Sequence, residues 1–340
     1  MSTFVDVGKI IGVVGATGAV GAEMVDVLSR RDFPVKELKL FASKRSAGKK
    51  ISTPYGEIVI EEFTVEKARE MDIVFLAVSG SFALEYARKI GEHDGPVVID
   101  NSSAFRYDPT VSLVIPEINP EMVKGQKLIS NPNCTTAIAA VALWPIDKKY
   151  GLKKVIVSSY QASSGAGAEG MEELRKGTKA ILANEKCPQK VFAYPLAFNV
   201  IPHIDKFLEN DYTKEEMKVA WETRKIFGIK NDDDCKISVT AVRVPTLRAH
   251  AEAITIETVE DILPSDVREL LKNSPGVDIV DDPAKLEYPM PLNASTKFNV
   301  ECGRIRQSLV FGKKGLDLFV CGDQLLKGAA LNAVQIAEVL

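Results

Sequence analysis

Short apolar runs alternate with amphipathic segments along the first 130 residues. The apolar runs are too short for helices and carry many large or β-branched residues, which predicts strands. They cover 9–15, 36–43, 72–78, 96–100 and 127–130. Helical spacing over 18–31 places Val20, Met24, Val27 and Leu28 on one side, and 80–93 predicts a second helix. Strands that alternate with helices favour a parallel sheet covered on both faces.

Two further apolar runs in the second half, 237–244 and 249–257, predict strands around a Pro-containing connection. This arrangement places Arg243 and His250 at neighbouring strand ends. An arginine beside a histidine is often only a structural pair, but the same pair suits a carboxylate substrate next to a base.

Composition and charge narrow the class of protein. The 340 residues carry a net charge of −3 and 46% hydrophobic residues, which fits a soluble chain of two domains and shows no general affinity for nucleic acid or membranes. The longest apolar stretch, 137–146, is about half a membrane span. The five cysteines are widely spaced and form no CxxC pair, which argues against disulfides and zinc. We expect a soluble, cytoplasmic protein without a metal.

The first predicted strand runs into a glycine-rich turn, GVVGATGAVG. Gly15, Gly18 and Gly21 are spaced GxxGxxG, a variant of the dinucleotide fingerprint. Gly15 permits the turn, Gly18 lets a pyrophosphate approach the helix start, and Gly21 allows close packing of helix on strand. The alternative is a turn without a ligand, but the strand before it and the amphipathic helix after it favour a dinucleotide. The predicted contacts are Gly15, Ala16, Thr17, Gly18, Ala19, Val20 and Gly21.

The end of the second predicted strand bears on which dinucleotide binds. An NAD site usually has an acidic residue there for the ribose hydroxyl. This chain has FASKRSAGKK, whose hydroxyls and positive charges suit a 2′-phosphate, although a solvated basic loop would look the same. The sequence therefore favours NADP, with contacts from Ser43, Lys44, Arg45 and Ser46.

Cys134 lies in SNPNCTTAIAA, where a polar turn meets a run of small apolar residues. Asn131 or Asn133 is a candidate cap for a helix that starts near Cys134 and continues from Thr135 to Val141. A thiol in the first turn faces free N–H groups and the positive helix end, both of which favour the thiolate. Most cysteines are inert core residues. The capped turn and the dinucleotide motif make a nucleophile the better interpretation.

A cysteine nucleophile that works with NADP implies aldehyde oxidation. The thiolate adds to the aldehyde, hydride transfer leaves a thioester, and a second nucleophile releases the acyl group. This chemistry needs a base. Of the three histidines, His93 lies in a predicted surface loop, His203 is explained equally well by a structural role, and His250 lies at a strand end beside Arg243.

Five motifs in order carry a resemblance to a known family. GATGAVG, DNSSAFR, SNPNCTT, SYQASSGAG and RVPTLRAH occur in the order found in aspartate-semialdehyde dehydrogenases, and the resemblance covers essentially the whole chain. It implies the reversible conversion of L-4-aspartyl phosphate to L-aspartate 4-semialdehyde and phosphate with NADPH. This reaction serves lysine (through diaminopimelate), threonine, methionine and isoleucine biosynthesis.

The resemblance also implies roles for individual residues. Cys134 resembles the nucleophile, His250 the acid–base, and Gln161 the amide that orients substrate. The implied substrate contacts are Arg243 for the α-carboxylate, Glu215 for the α-amino group, Lys218 and Arg106 for phosphate, and Asn133. The implied wall beside the nicotinamide is Ser164, Gly165, Ala166 and Gly167. Gln324 stands where the family pattern has asparagine, and Glu215 and Lys218 would also suit a surface ion pair.

The resemblance implies an α/β fold in two domains. Residues 1–131, with a final helix from about 323 to 340, form a Rossmann-type NADP-binding domain. Residues 132–322 form an α+β catalytic and dimerisation domain like that of glyceraldehyde-3-phosphate dehydrogenase. The expected assembly is a homodimer, with a homotetramer as the alternative.

Three alternatives stay open at this point. N-acetyl-γ-glutamyl-phosphate reductase shares the chemistry but usually has glycine where this chain has Asn133, and RVPTLRAH does not fit it. Glyceraldehyde-3-phosphate dehydrogenase has a similar cysteine run with a different glycine fingerprint. A non-catalytic NADP-binding paralogue should have lost the nucleophile or the base, and both are present.

Overall fold

The computed structural model describes residues 8–231 and 233–340, which form two compact units. The first unit consists of the described residues up to Pro132 together with Ala329–Leu340, and the second is Asn133–Gly328. No helix among the described residues is long and apolar enough to span a bilayer.

The first unit contains a seven-stranded sheet in which all neighbouring strands are parallel. Its strands and a separate hairpin are β1 (Lys9–Val14), β2 (Val35–Ala42), β3 (Lys50–Thr53), β4 (Gly56–Val59), β5 (Glu61–Glu62), β6 (Ile73–Leu76), β7 (Val97–Asp100), β8 (Ser112–Leu113) and β9 (Leu128–Ser130). The order across the sheet is β5-β2-β1-β6-β7-β9-β8, with β3 and β4 as the hairpin. The parallel sheet with crossover helices confirms the predicted Rossmann-type fold.

Helices α1 (Ala19–Arg30), α2 (Val65–Arg69) and α3 (Gly80–Gly91) connect these strands. In α1 the buried face includes Met24, Val27 and Leu28, as the spacing predicts. The helix packs closely on β1 because Gly15 has φ +85° and because a Cβ at Gly21 would clash with the Gly15 carbonyl oxygen. These two glycines therefore fix the turn at which β1 meets α1.

The second unit is built around a six-stranded mixed sheet. Its elements are α4 (Cys134–Tyr150), β10 (Leu152–Gln161), α5 (Gly167–Leu182), α6 (Lys214–Phe227), β11 (Lys236–Arg243), β12 (His250–Thr258), α7 (Pro264–Lys272), β13 (Val277–Ile279), α8 (Pro291–Ala294), β14 (Val300–Gln307) and β15 (Gly315–Gly322). The order is β11-β10-β12-β15-β14-β13. The central strand β10 pairs parallel with β11 and antiparallel with β12, which confirms the α+β class of this unit.

The last helix, α9 (Leu331–Glu338), packs on α1 and β7 within the first unit. It begins later than the predicted position near 323, because a π-helical turn, Leu326–Ala330, comes first. No sequence pattern predicted the β3–β4 hairpin, the two-residue strands β5 and β8, or helix α2. These elements are too short to show a hydrophobic period.

Candidate active site

Cys134 is the first residue of α4 and is partly exposed. Asn133 is the N-cap, and its Oδ1 accepts hydrogen bonds from the backbone N–H groups of Thr135 at 3.0 Å and Thr136 at 3.2 Å. The cap leaves the sulfur at the positive end of the helix, where a thiolate is favoured. Of the two candidate caps, Asn133 therefore caps the helix.

Asn131, the other candidate cap, has a different role in the first unit. Its Nδ2 donates to Asn101 Oδ1 at 2.9 Å and to the Ala329 carbonyl oxygen at 3.0 Å. Its Oδ1 accepts from Asn332 Nδ2 at 2.6 Å. Asn131 thus fastens α9 to the end of β9.

A buried glutamate that the sequence analysis missed holds the turn before the cysteine. Glu222, on α6, accepts the backbone N–H of Asn133 at 2.6 Å and is fully buried. The two residues are 89 positions apart, and no local pattern in the sequence links them. A charge-assisted bond to the N-cap residue fixes where α4 starts, and therefore where the sulfur lies.

Helix α6 also supplies Glu215, which is buried beside the cap. Its Oε1 accepts from Asn133 Nδ2 at 2.9 Å and from Gln161 Nε2 at 3.1 Å, and its Oε2 accepts from Lys218 Nζ at 3.0 Å. Burial, the largest influence, raises the pKa of Glu215, but the charge of Lys218 and these three hydrogen bonds outweigh it and lower the pKa. Glu215 is therefore a carboxylate that links the cysteine cap to the sheet.

Lys218 lies between two carboxylates. Its Nζ is 3.0 Å from Glu215 Oε2 and 2.7 Å from Asp205 Oδ2. Burial lowers the pKa of Lys218, but the two carboxylates raise it further, so the ammonium form is held. Asp205, which no sequence pattern predicted, has φ +67° in a loop before α6.

Three predicted residues meet at one end of the second sheet. Gln161 ends β10, Arg243 ends β11 as its register partner, and His250 begins β12. All three are buried. Gln161 Oε1 accepts from the hydroxyl of Ser159 at 3.1 Å, which directs Gln161 Nε2 toward Glu215.

His250 is held as a neutral ring. Its Nδ1 accepts the backbone N–H of Ala162 at 3.0 Å, so the neutral imidazole carries its proton on Nε2, 3.5 Å from Gln161 Nε2. Burial and then the nearby charge of Arg243 lower the pKa of His250 to about 3. The ring therefore presents an N–H donor at neutral pH.

Arg243 faces the same space. Its Nη1 donates to the Ala162 carbonyl oxygen at 2.6 Å, and no other acceptor among residues 8–231 and 233–340 is hydrogen-bonded to the guanidinium. Burial lowers the pKa of Arg243, opposed by the charges of Glu215 and of Cys134. The guanidinium remains charged, is electrostatically coupled to the sulfur, and keeps donors free for an anion.

Backbone close to these side chains leaves little spare room. A Cβ at Gly165 would lie 2.8 Å from Arg243 Nη1 and 3.4 Å from His250 Cε1. A Cβ at Gly328 would lie 2.6 Å from Cys134 Cβ. Gly165 was among the predicted residues, whereas Gly328, in the π-helical turn, was missed because its neighbour is distant in sequence.

Gln324 ties the predicted nicotinamide wall to the histidine strand. Its Oε1 accepts the N–H of Ala249 at 2.7 Å, and its Nε2 donates to the hydroxyl of Ser164. Ser164 to Ala166 belong to a 3₁₀ turn, and Gly167, with φ +75°, begins α5. Both the oxygen and the nitrogen of the Gln324 amide are thus hydrogen-bonded to protein groups.

In the first unit, a cavity of about 380 Å³ opens beside the glycine turn. Four of the predicted cofactor residues line it, namely Gly15, Thr17, Ser43 and Lys44. The other predicted residues of this unit, which do not line it, are Ala16, Gly18, Ala19, Val20, Gly21, Arg45 and Ser46. The cavity wall also contains Phe63 and Phe82, whose ring centroids are 4.9 Å apart, and Glu62.

Arg106 is buried in the first unit, and its donors face backbone carbonyl groups. Nε donates to the Asn131 oxygen at 2.8 Å and Nη2 to the Asn101 oxygen at 2.9 Å. These contacts join the ends of β7 and β9. Among the described residues there is no group of three or more His, Cys, Asp or Glu side chains arranged to hold a metal.

Comparisons with known proteins agree across the chain. Residues 10–126 match the model of the semialdehyde dehydrogenase NAD-binding domain, and residues 143–327 match that of the semialdehyde dehydrogenase dimerisation domain. The aspartate-semialdehyde dehydrogenases of Aquifex aeolicus and Bacillus subtilis are 48% and 44% identical to the chain. The first alignment covers 98% of both chains, and the second covers 98% of this chain and 97% of the relative.

Solved structures show the same relationship. Aspartate semialdehyde dehydrogenase II of Vibrio cholerae, complexed with ASA, superposes with a TM-score of 0.92 at 38% identity over 98% of both chains. The Candida albicans enzyme with NADP gives a TM-score of 0.74 at 25% identity, also over 98% of both chains. With both domain models matched and near-full-length relatives close to half identical, this chain belongs to the aspartate-semialdehyde dehydrogenase family.

Proposed function

We propose that this chain catalyses the NADP-dependent, reversible conversion of L-4-aspartyl phosphate to L-aspartate 4-semialdehyde and phosphate. The observation that carries the proposal is the placement of Cys134 at a helix start whose Asn133 cap is linked through Glu215 to Gln161, at the sheet end that also holds Arg243 and His250. A nucleophile, a carboxylate-binding cation and an N–H donor are what a thioester route requires.

In the biosynthetic direction, the Cys134 thiolate attacks the acyl phosphate carbon. The carbon–sulfur bond forms, the carbon–oxygen bond to phosphate breaks, and a thioester remains. Reduction of this thioester needs a hydride, which bound NADPH would supply, and breaking of the carbon–sulfur bond would then release the aldehyde and the Cys134 thiolate. His250 is the proposed acid–base residue, and its Nε2–H is the donor offered to the oxygen on which negative charge develops.

The substrate contacts follow from the charges of the second unit. Arg243 binds the α-carboxylate with its unused donors, and Glu215 binds the α-amino group. Lys218 binds phosphate, although it lies between Glu215 and Asp205, so phosphate must compete with two carboxylates. Arg106 is the second proposed phosphate contact, and Asn133 positions Glu215.

The cofactor proposal depends on the cradle at the glycine turn. A Cβ at Gly15 or Gly21 would clash with neighbouring backbone, whereas one at Gly18 would meet only the Gly15 oxygen at 3.4 Å, so the start of α1 is open to a pyrophosphate. Ser43 and Lys44 line the adjoining cavity and suit a 2′-phosphate. When bound, the nicotinamide supplies or accepts the hydride. The Ser164–Gly167 turn and Gln324 are the proposed wall beside it.

Assembly and location belong to the same proposal. The match to a dimerisation domain over 143–327 supports a homodimer, from which a homotetramer would need a further interface. A biosynthetic role and cysteines that form no disulfide with one another fit a reducing cytoplasm.

The testing experiment measures phosphate-dependent NADP reduction with aspartate semialdehyde. Cys134→Ala should abolish turnover and keep NADP affinity, while Cys187→Ala, at the other partly exposed cysteine, should keep both. Turnover by Cys134→Ala would refute the nucleophile. Preference for N-acetylglutamate semialdehyde would identify the reductase instead, and activity with NAD equal to that with NADP would refute the cofactor preference.

A further inference from the structure

The segment 190–201, which lies outside the predicted site, packs against Arg243, the proposed carboxylate-binding residue. Glu173, buried on α5, accepts three consecutive backbone N–H groups, those of Lys190 at 2.7 Å, Val191 at 2.7 Å and Phe192 at 3.1 Å. One carboxylate that receives three amide hydrogen bonds fixes this stretch of chain to the helix. The start of the segment therefore has a defined conformation.

The other end of the segment is joined to Arg243 itself. Ile201 and Arg243 form an antiparallel bridge, with N–H to oxygen distances of 3.0 Å and 2.8 Å in the two directions. Between the two attachments, Leu196, Ala197 and Ile201 pack with Leu174 of α5 in a small apolar cluster. The segment 190–201 is thus held along its length.

Phe192 uses this support to contact the guanidinium. The centre of its ring lies 5.8 Å from Arg243 Cζ, within the range of a cation–π contact, and the ring also packs on the apolar cluster. On another side, Nη1 donates to the Ala162 oxygen, and Gly165 leaves no room for a side chain. The guanidinium is therefore restricted by an aromatic ring, a carbonyl group and a glycine.

From this geometry we infer that Phe192 is a positioning residue for the substrate carboxylate, and that Glu173 positions Phe192. A guanidinium held in one orientation keeps its remaining donors aimed for a bidentate carboxylate, which reduces the ordering required on binding. The pair thereby favours aldehydes that carry an α-carboxylate. The inference rests on the proposed function of Arg243.

The experiment compares Phe192→Leu with wild type on two aldehydes. With aspartate semialdehyde we expect the KM to rise about 2- to 30-fold, the range that a cation–π contact implies, with little change in kcat or in the KM for phosphate. With 3-aminopropanal, which lacks the carboxylate, kcat/KM should be unchanged. Phe192→Tyr, which keeps the ring, should restore the wild-type KM.

Glu173 is tested in the same assay. Glu173→Ala should raise the KM for aspartate semialdehyde in the same direction, and Glu173→Gln, which keeps one acceptor, should raise it less. Phe198→Leu is the matched control, because Phe198 belongs to the same segment but is 67% exposed, and it should behave as wild type.

The outcomes separate this inference from the proposed function. If Arg243→Lys raises the KM for aspartate semialdehyde and Phe192→Leu does not, the role of Phe192 is refuted and that of Arg243 stands. If Phe192→Leu changes kcat/KM equally for both aldehydes, Phe192 acts on the fold rather than on the carboxylate. If Arg243→Lys leaves that KM unchanged, both proposals are wrong.

Discussion

Glu252 provides a quantitative test of the packing beneath the active site. It lies on β12 two residues after His250, it is fully buried, and neither of its carboxyl oxygens has a hydrogen-bond partner among residues 8–231 and 233–340. Burial raises the pKa of Glu252 well above its usual 4.5. The folded protein therefore keeps this carboxyl protonated at a pH at which the unfolded chain has lost the proton.

The perturbation is Glu252→Gln, which replaces a neutral carboxyl with a neutral amide of similar size. Because the pKa is raised on folding, the protonated carboxyl contributes stability at low pH that is lost as pH rises. Each pH unit above the unfolded pKa costs about 1.4 kcal/mol for as long as the folded carboxyl stays protonated, so wild type should lose up to about 1.4 kcal/mol per pH unit from this group as pH rises above 5. The variant should lose none of it.

Urea unfolding at the two pH values measures the difference. Trp144 and Trp221 both lie in the second unit, so intrinsic fluorescence reports on the unit that contains Glu252. We expect the gap in unfolding free energy between variant and wild type to shift in favour of the variant from pH 5 to pH 7, by about 1.4 kcal/mol for each pH unit over which the folded carboxyl stays protonated.

Glu257→Gln, on the same strand, is the control. The pKa of Glu257 is lowered, chiefly by its hydrogen bond from Lys154 and further by the charges of Lys153 and Lys154. The ionised Glu257 contributes stability above about pH 4.5, and this contribution is lost only as pH falls below that value. The difference in unfolding free energy between Glu257→Gln and wild type should therefore not change between pH 5 and pH 7. A pH-independent effect of Glu252→Gln would refute the reasoning, because it would mean that the buried carboxyl is ionised in the folded protein.

Two further predictions concern the active site. Gly328→Ala should lower kcat at least tenfold and keep NADP affinity, because the new methyl group would lie 2.6 Å from Cys134 Cβ. Gly80→Ala, which adds a methyl group in open space, is the control, and an unchanged kcat for Gly328→Ala would contradict the close approach. The pKa of His250 is lowered to about 3, so as pH falls from 6.5 the unfolded chain binds a proton that the folded ring does not, and the stability contributed by this group decreases. Urea unfolding should show that wild type loses about 2 kcal/mol more than His250→Asn between pH 7 and pH 5, and equal losses would refute the burial argument.

Local patterns in the sequence predicted most elements of the first unit. The turn between β1 and α1 follows from Gly15 and Gly21, which only glycine can occupy. The start of α4 at Cys134 follows from an asparagine cap whose hydrogen bonds reach two and three residues ahead. Interactions of this kind lie within one helical turn, so they can be predicted from a single sequence.

The missed residues share the opposite property. Glu222 contacts Asn133 from 89 positions away, and Gly328 contacts Cys134 from the far end of the chain. Phe192, which covers Arg243, comes from an irregular segment without hydrophobic period. No local signal marks such residues, because their neighbours are decided by the order of strands in the sheet.

The sequence by itself determined the glycine turn, the capped cysteine and the two strands at whose ends Arg243 and His250 lie, whereas Gln161 came only from the family resemblance, because its strand β10 was not predicted. Tertiary structure alone decided that β10 lies between β11 and β12, which brings those three strand ends together, and that α6 places Glu215 and Glu222 against the cysteine cap. The physical reason is range, because propensities, caps and turns act over a few residues. The burial that holds His250 neutral, and the charge of Lys218 and the hydrogen bonds that hold Glu215 ionised against its own burial, exist only after distant segments have packed.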